Sequence, residues 1–237
     1  TSTSECMKER SCISIDGRRY RRLHFVGVLG SGMSALAQHL LWLGCGVSGS
    51  DRAGQSTDTA ARRETLAALG CRLTEQDGSG VQRDCDAVVI STAIEDDNRD
   101  VAAARALDIP LLHRSDVLAA LVQMHTTVAI AGTSGKSTVT ALCFDLLGAC
   151  GRGPSVVAGA DLISLSEKGL IGNACHGDTD LLIIEADESD GTLVKYRPHL
   201  SVFLNLSRDH KPENEVLDMF ATLAGRSAAV LVNADDP

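Results

Sequence analysis

One stretch constrains this chain more than any other: Val128, Ala129, Ile130 and Ala131, followed by Gly132, Thr133, Ser134, Gly135, Lys136, Ser137 and Thr138. The four apolar residues read as a buried strand and the glycines as a turn. Apolar residues then return at Val139, Leu142, Cys143, Leu146 and Leu147, the spacing of a helix face. Strand, glycine turn, Lys-Ser and helix are the parts of a phosphate-binding loop. Glycine tolerates positive φ and lets backbone amides close on an anion. The helix start adds unpaired N–H groups and the positive end of its dipole. Lys136 brings a full charge, and Ser137 a hydroxyl for a magnesium ion. The pattern is the shorter G-x-x-G-K-S, because Ile130 stands where the full pattern has glycine. We expect Gly132, Thr133, Ser134, Gly135, Lys136, Ser137 and Thr138 to hold a nucleoside triphosphate.

Upstream, residues 23–28 read as a strand and 33–43 as a helix, with a second strand after Cys45 and Asp51 just beyond it. This is a Rossmann-like βαβ layout. Its glycine fingerprint is broken, because Leu29 stands where pyrophosphate would press on the middle glycine. Helical spacing follows over 57–69 and 98–107, with strands over 86–91 and 111–113. Ser115 and Asp116 can cap a helix running to about residue 124. Alternating strands and helices predict an α/β fold with parallel sheets covered on both faces. The break at 125–126 divides a Rossmann-like domain (23–125) from a P-loop NTPase-like domain (126–237). Residues 1–22 carry six basic side chains with little apolar pattern and read as a loosely ordered leader.

In the second part, 155–158 and 181–184 read as strands, separated by an irregular stretch over 159–179. The aliphatic run ends in Glu185, Ala186, Asp187, Glu188, Ser189 and Asp190. Ligands in such sheets bind at the carboxyl ends of strands, so Glu185 is the candidate for a magnesium ion. The remaining acids read as solvent-facing. A strand over 200–205 leads to His210, on the same expected edge as Lys136, Ser137 and Glu185. A helix over 215–224 and a strand over 229–232 follow.

The net charge of −9 argues against nucleic-acid or anionic-membrane partners. No apolar run reaches the roughly 18–20 residues that span a bilayer. Eight cysteines contain no C-x-x-C pair and read as reduced thiols of a cytoplasmic protein, several of them in apolar runs. With aromatics at 3%, small aliphatics must fill the core.

Five stretches together resemble the Mur ligase family, most closely its branch joining L-alanine to UDP-N-acetylmuramate. They are His24 to Gly27 with Gly32-Met33-Ser34 and Ser48 to Asp51, Val89 to Ile94, the phosphate loop, Glu185 to Asp190, and Asn205 to His210. The resemblance implies an ATP-dependent ligase of peptidoglycan precursor synthesis. Such enzymes phosphorylate a carboxylate with ATP and let an amino acid's amine displace the phosphate. It implies ATP and Mg2+, a UDP-sugar carboxylate and an amino acid as substrates, with Lys136, Glu185 and His210 catalytic. Ser137, Glu185 and His210 would serve magnesium. Gly30, Ser31, Gly32, Met33, Ser34, Asp51, Ser91, Thr92 and Ala93 would line the UDP-sugar site. Leu29, and Asp77 where the branch commonly has histidine, predict weakened UDP-sugar binding. Family members carry a third, C-terminal domain that is expected to be absent from this chain. The alternatives are a truncated or degenerate nucleotide-sugar and ATP-binding module without complete activity, or a nicotinamide oxidoreductase built on the first domain.

Overall fold

The structure, a computed structural model, describes residues 12–53, 56–207 and 212–236. Its chain begins with a hairpin of β1 (Ile13–Ile15) and β2 (Arg18–Tyr20), antiparallel, with Ile15 opposite Arg18. The leader expected to be loose is therefore paired over this part. Asp16 and Gly17 both have positive φ, 50° and 78°, which suits a two-residue Asp-Gly turn of the type whose twist matches its strands. Ile13 and Tyr20 are buried, so the basic residues decorate a hairpin with an apolar side.

The chain then divides into two compact units, parting after Val117. In the first, β3 (Arg22–Val26), β4 (Gly46–Ser50), β5 (Arg72–Thr74), β6 (Ala87–Ile90) and β7 (Leu111–His113) form a sheet in the order β5-β4-β3-β6-β7, every pair parallel. The order reverses between β3 and β6, so a crevice opens at the carboxyl ends of these two strands. Helices α1 (Ser31–Trp42), α2 (Thr57–Ala68) and α3 (Arg99–Ala106) accompany these strands, and the chain passes from the first unit to the second within α4 (Arg114–Met124). Asn98 caps α3 by accepting from the amides of Asp100 and Val101. At α4 the expected caps are displaced. The helix starts at Arg114, and Asp116, inside its first turn, accepts from the His113 amide at 3.0 Å.

The second unit holds β8 (Thr126–Ala131), β9 (Ser155–Val157), β10 (Ala174–Cys175), β11 (Leu181–Ala186), β12 (Leu200–Phe203) and β13 (Ala229–Val232), in the order β10-β9-β11-β8-β12-β13. Only β10, formed within the stretch expected to be irregular, runs antiparallel to its neighbour. Helices α5 (Lys136–Ala149), α6 (Ile163–Ser166) and α7 (Glu213–Arg226) and a 3-10 turn (Thr192–Lys195) complete it. Leu182, Ile183 and Ile184 are fully buried, as a central strand covered on both faces requires. Ile130, Phe144, Val156, Ala158, Leu162, Leu165 and Ile183 form one core cluster of this unit, and Phe203 packs on Phe220 elsewhere in it.

Among the described residues Cys12, Cys45 and Cys71 are buried. Burial pushes the Cys45 and Cys71 thiols up to about 12, which makes them inert fillers of the core. No helix among the described residues is long and apolar enough to cross a membrane.

Candidate functional site

The site of the second unit is built on β8. The strand ends at Ala131 and α5 begins at Lys136, leaving four residues to turn the chain. Gly132 has φ +150°, and a Cβ there would lie 3.0 Å from the Leu204 Cβ. Gly135, the N-cap of α5, has φ +80° and no side chain caps the helix. These two positions require glycine, and they leave the first amides of α5 facing outward at the positive end of its dipole.

The loop is clamped from β12. The Asn205 Oδ1 accepts from the Ser134 amide and the Thr133 hydroxyl, both at 2.9 Å, while its Nδ2 donates to the Ser134 carbonyl at 3.0 Å. Thr133 also meets the Ser207 hydroxyl at 2.8 Å. Thr133 and Ser134 are thus held by the neighbouring strand end, and the loop's shape is fixed before any ligand arrives.

Three of the residues expected on this edge come together. The Ser137 hydroxyl donates to the Glu185 Oε1 at 2.7 Å, and the Gly159 amide donates to the Oε2 at 2.9 Å. β11 lies directly beside β8, with Glu185 opposite Ile130 and Ala186 opposite Ala131. The carboxylate therefore emerges level with the end of the loop strand. Lys136 lies against the loop, its Nζ donating to the Gly132 carbonyl and to the Glu188 Oε2, both at 2.8 Å. Thr138, in the first turn of α5, is exposed beside them. His210 lies outside the described residues.

Glu188 is the residue that sequence reasoning missed. The sequence reads it as one of the solvent-facing acids, yet only 5% of its side chain is exposed. Asn205, read only as part of a motif, is the second omission. Nothing in the local pattern separates Glu188 from Asp187 or Asp190. The turn chemistry does, because Asp187 and Asp190 accept from residues two ahead of them, Ser189 and Thr192.

The donor set fits a magnesium ion. A serine hydroxyl and one carboxylate beside a phosphate-shaped loop are hard oxygen ligands, and magnesium takes few protein ligands plus phosphate oxygens and waters. Among the described residues no group of three His, Cys, Asp or Glu is arranged to hold a metal alone.

In the first unit, the corresponding loop follows β3. The amides of Gly27 and Val28 donate to the Ser50 carbonyl, and that of Leu29 to the Asp51 Oδ2 at 2.9 Å. Asp51 also accepts from the Ala53 amide with its other oxygen at 2.9 Å. It braces the loop, and the position expected to face a nucleoside serves the backbone. Gly30 is the N-cap of α1, whose first turn carries no side-chain cap. Ser31 and Gly32 stand at that helix start. The Met33 and Ser34 side chains are buried, and the Ser34 amide and hydroxyl bond the Gly30 and Ser31 carbonyls. Ser34 thus closes the turn at the start of α1.

Ser91, Thr92 and Ala93 follow β6 across the crevice, closed into a turn by the Ile94 amide on the Ser91 carbonyl. The Ile94 Cδ1 lies 3.5 Å from where a Gly27 Cβ would be, so this turn abuts the glycine loop. Arg114 Nη1 lies 2.8 Å from where a Gly32 Cβ would be, a basic contact at the start of α1 that the sequence did not single out.

The Leu29 residue is buried, and the Arg62 guanidinium donates to its carbonyl at 2.9 Å. Asp77 is exposed and binds the Ser79 amide at 2.9 Å. Its hydrogen bonds from Ser79 hold the carboxyl below its usual range.

Comparison with known proteins agrees with this fold. Residues 22–126 match the Mur ligase family, catalytic domain, and residues 130–237 match the Mur ligase middle domain. The UDP-N-acetylmuramate–L-alanine ligase of Streptomyces griseus is 37% identical over 224 residues, covering 91% of this chain and 46% of the relative. That of Laribacter hongkongensis is 41% identical over 192 residues, covering 81% and 39%. The crystal structure of the UDP-N-acetylmuramate-alanine ligase of Thermotoga maritima superposes with a TM-score of 0.76 at 27% identity, covering 91% of this chain and 49% of that one. The chain thus spans about half the length of the curated relatives it matches. With both units matched end to end, this chain belongs to the Mur ligase family.

Proposed function

We propose that this chain carries the UDP-sugar-binding and ATP-binding parts of a ligase that joins an amino acid to the carboxylate of a UDP-N-acetylmuramate-like substrate. Its named relatives support the substrate class. The single observation that carries the reading is the hydrogen bond from Ser137 to Glu185, with Lys136 the residue immediately before Ser137 and its ammonium on the Gly132 carbonyl. It sets a hydroxyl, a carboxylate and an ammonium around one glycine loop, as transfer of a terminal phosphate needs.

In this reading residues 126–237 hold ATP and residues 23–125 hold the UDP-sugar. The amides of Gly135 and the first turn of α5 bind phosphate oxygens, and Lys136 neutralises charge as it develops on the transferred group. Ser137 and Glu185 would hold magnesium, which supplies charge neutralisation on the phosphates. The substrate carboxylate attacks the terminal phosphate of ATP, giving an acyl phosphate and ADP, and an amine then displaces inorganic phosphate to form the amide. Asp51 and Asn205 touch no reacting atom in this scheme. They keep the two loops in shape.

The test is phosphate release and product mass with UDP-N-acetylmuramate, ATP, magnesium and a panel of amino acids. Phosphate release that requires the UDP-sugar is the expected result. Release without amide product would leave the nucleotide chemistry standing and identify a partial module. No release and no ATP binding would overturn the proposal.

A further inference from the structure

The acidic run after β11 is divided in its tasks. Asp187 closes a turn on the Ser189 amide and hydroxyl at 3.1 and 2.8 Å, and Asp190 closes another on those of Thr192 at 3.0 and 2.6 Å. Glu185 meets Ser137. Glu188 alone turns inward to Lys136, with 5% of its side chain exposed against 12% for the lysine. The Gly191 amide donates to the Glu188 carbonyl at 3.1 Å, and Leu193, fully buried, anchors the segment two residues later.

A buried ion pair of this kind is a poor stabiliser, since the cost of desolvating both charges offsets their attraction. Its effect on position is larger. An ammonium on a four-carbon stem has three donors and many rotamers. Here one donor is fixed on the Gly132 carbonyl and a second on Glu188, both at 2.8 Å, while the next carboxylate oxygen, on Asp187, is 3.9 Å away. Two fixed bonds restrict the ammonium and leave its third N–H for a further acceptor.

We propose that Glu188 is a positioning residue: it pins the Lys136 ammonium against the loop so that the remaining N–H addresses a nucleotide's outer phosphates. This rests on the ATP reading above. Glu188 touches no phosphate itself and acts through the lysine.

The experiment is calorimetry of the chain with Mg–ATP and with AMP, on Lys136→Ala, Glu188→Ala, the double substitution, and Glu188→Gln. Lys136→Ala is expected to weaken ATP about 30-fold and Glu188→Ala about tenfold, on the scale of one or two charge-assisted hydrogen bonds. Two further readouts separate positioning from general support of the fold. AMP, which lacks the outer phosphates, should bind all variants within about twofold of the parent. The double substitution should be no weaker for ATP than Lys136→Ala alone, because Glu188 has nothing to act through once the lysine is gone. Glu188→Gln keeps an acceptor of the same shape and should recover ATP affinity to within about threefold, and it serves as the test if the alanine variant does not fold.

Losses that multiply in the double variant, or AMP affinity that falls with ATP, would overturn the assignment. So would ATP affinity unmoved by Glu188→Ala while Lys136→Ala lowers it, and then the nucleotide site would still stand. ATP affinity unmoved by Lys136→Ala would overturn the nucleotide site and this proposal together.

Discussion

The loop after β3 and the loop after β8 share one construction. Each leaves the first strand of a parallel sheet, turns on glycine, and enters a helix with no side-chain cap. Each is braced by a side chain from an adjoining strand's end, Asp51 after β4 and Asn205 after β12. They differ in charge. At the first loop the carboxylate of Asp51 is spent on backbone amides, and the basic group near the helix start is the Arg114 guanidinium beside Gly32. At the second, Lys136, Ser137 and Glu185 are grouped within hydrogen-bonding distance of the loop or of each other. Amides and a helix dipole suffice to hold an anion that does not change. Charge that develops during a reaction calls for a cation and a metal. Under the proposed function, the same turn would serve recognition in one unit and chemistry in the other.

Removing the charge is the strongest way to break this contrast. Lys136→Ala should lower UDP-sugar-dependent phosphate release by about 10²–10³-fold, the scale of losing one preorganised electrostatic group. Binding of UDP-N-acetylmuramate, measured by calorimetry on the same variant, should not move. A parallel loss of sugar affinity would show that the two loops are not specialised.

The braces come next. Asp51→Ala removes one acceptor from the loop after β3, at the Leu29 amide, and one from its own turn at Ala53, while Asn205→Ala removes three bonds from the other loop. At about 0.5–1.5 kcal/mol for each bond, either change should weaken its own ligand by about tenfold and leave the other ligand within twofold. Crossed effects would mean that the braces support the whole fold and not one loop.

What was readable beforehand followed the same division. Lys136, Ser137 and Glu185 stand out because each adjoins an aliphatic run whose period reveals a strand or helix end. The strands Leu111–His113 and Ala229–Val232 were bounded correctly for that reason. The hairpin Ile13–Tyr20 was hidden by its arginines, although Asp16-Gly17 is a turn signal. β10 escaped because two residues have no period. Glu188 and Asn205 were obscured for a deeper reason. Their partners are 52 and 71 residues away, so only tertiary pairing distinguishes them from their neighbours.

Acid should separate the two units in sequence. His125, near Asp180 at 3.4 Å, is pushed below its usual range by burial, against the opposing pull of that carboxylate. A histidine depressed in the folded state takes up its proton more readily when unfolded, so the second unit begins to lose stability as pH falls below about 6.5. Burial pushes Asp100 up, but hydrogen bonds from His24, Ser50 and the Gly78 amide outweigh it and hold the carboxyl below its usual range. Its contribution is present above about pH 3.9, the ordinary aspartate value, and is lost as pH falls through the lower folded value. The first unit should therefore hold until more acidic conditions. Trp42, the single tryptophan, lies in the first unit. Its fluorescence should change at lower pH than the far-UV circular dichroism, and coincident transitions would refute independent responses.

The smallest expected change in ligand affinity is none, and it comes from repairing the fingerprint. Sequence comparison makes Leu29 an obstacle, so Leu29→Gly should tighten UDP-N-acetylmuramate binding if the side chain stood between loop and pyrophosphate. In the fold the residue is 2% exposed, while its amide and carbonyl are held by Asp51 and the Arg62 guanidinium at 2.9 Å each. The loop already has the shape that a glycine would permit. The glycine variant should then bind the UDP-sugar within about twofold of the parent. It should also lose about 2–5 kcal/mol of stability, as truncation of a buried leucine does, read from urea melts. Tighter binding would place Leu29 in the ligand's path and return the first loop to the broken fingerprint that its sequence resembles.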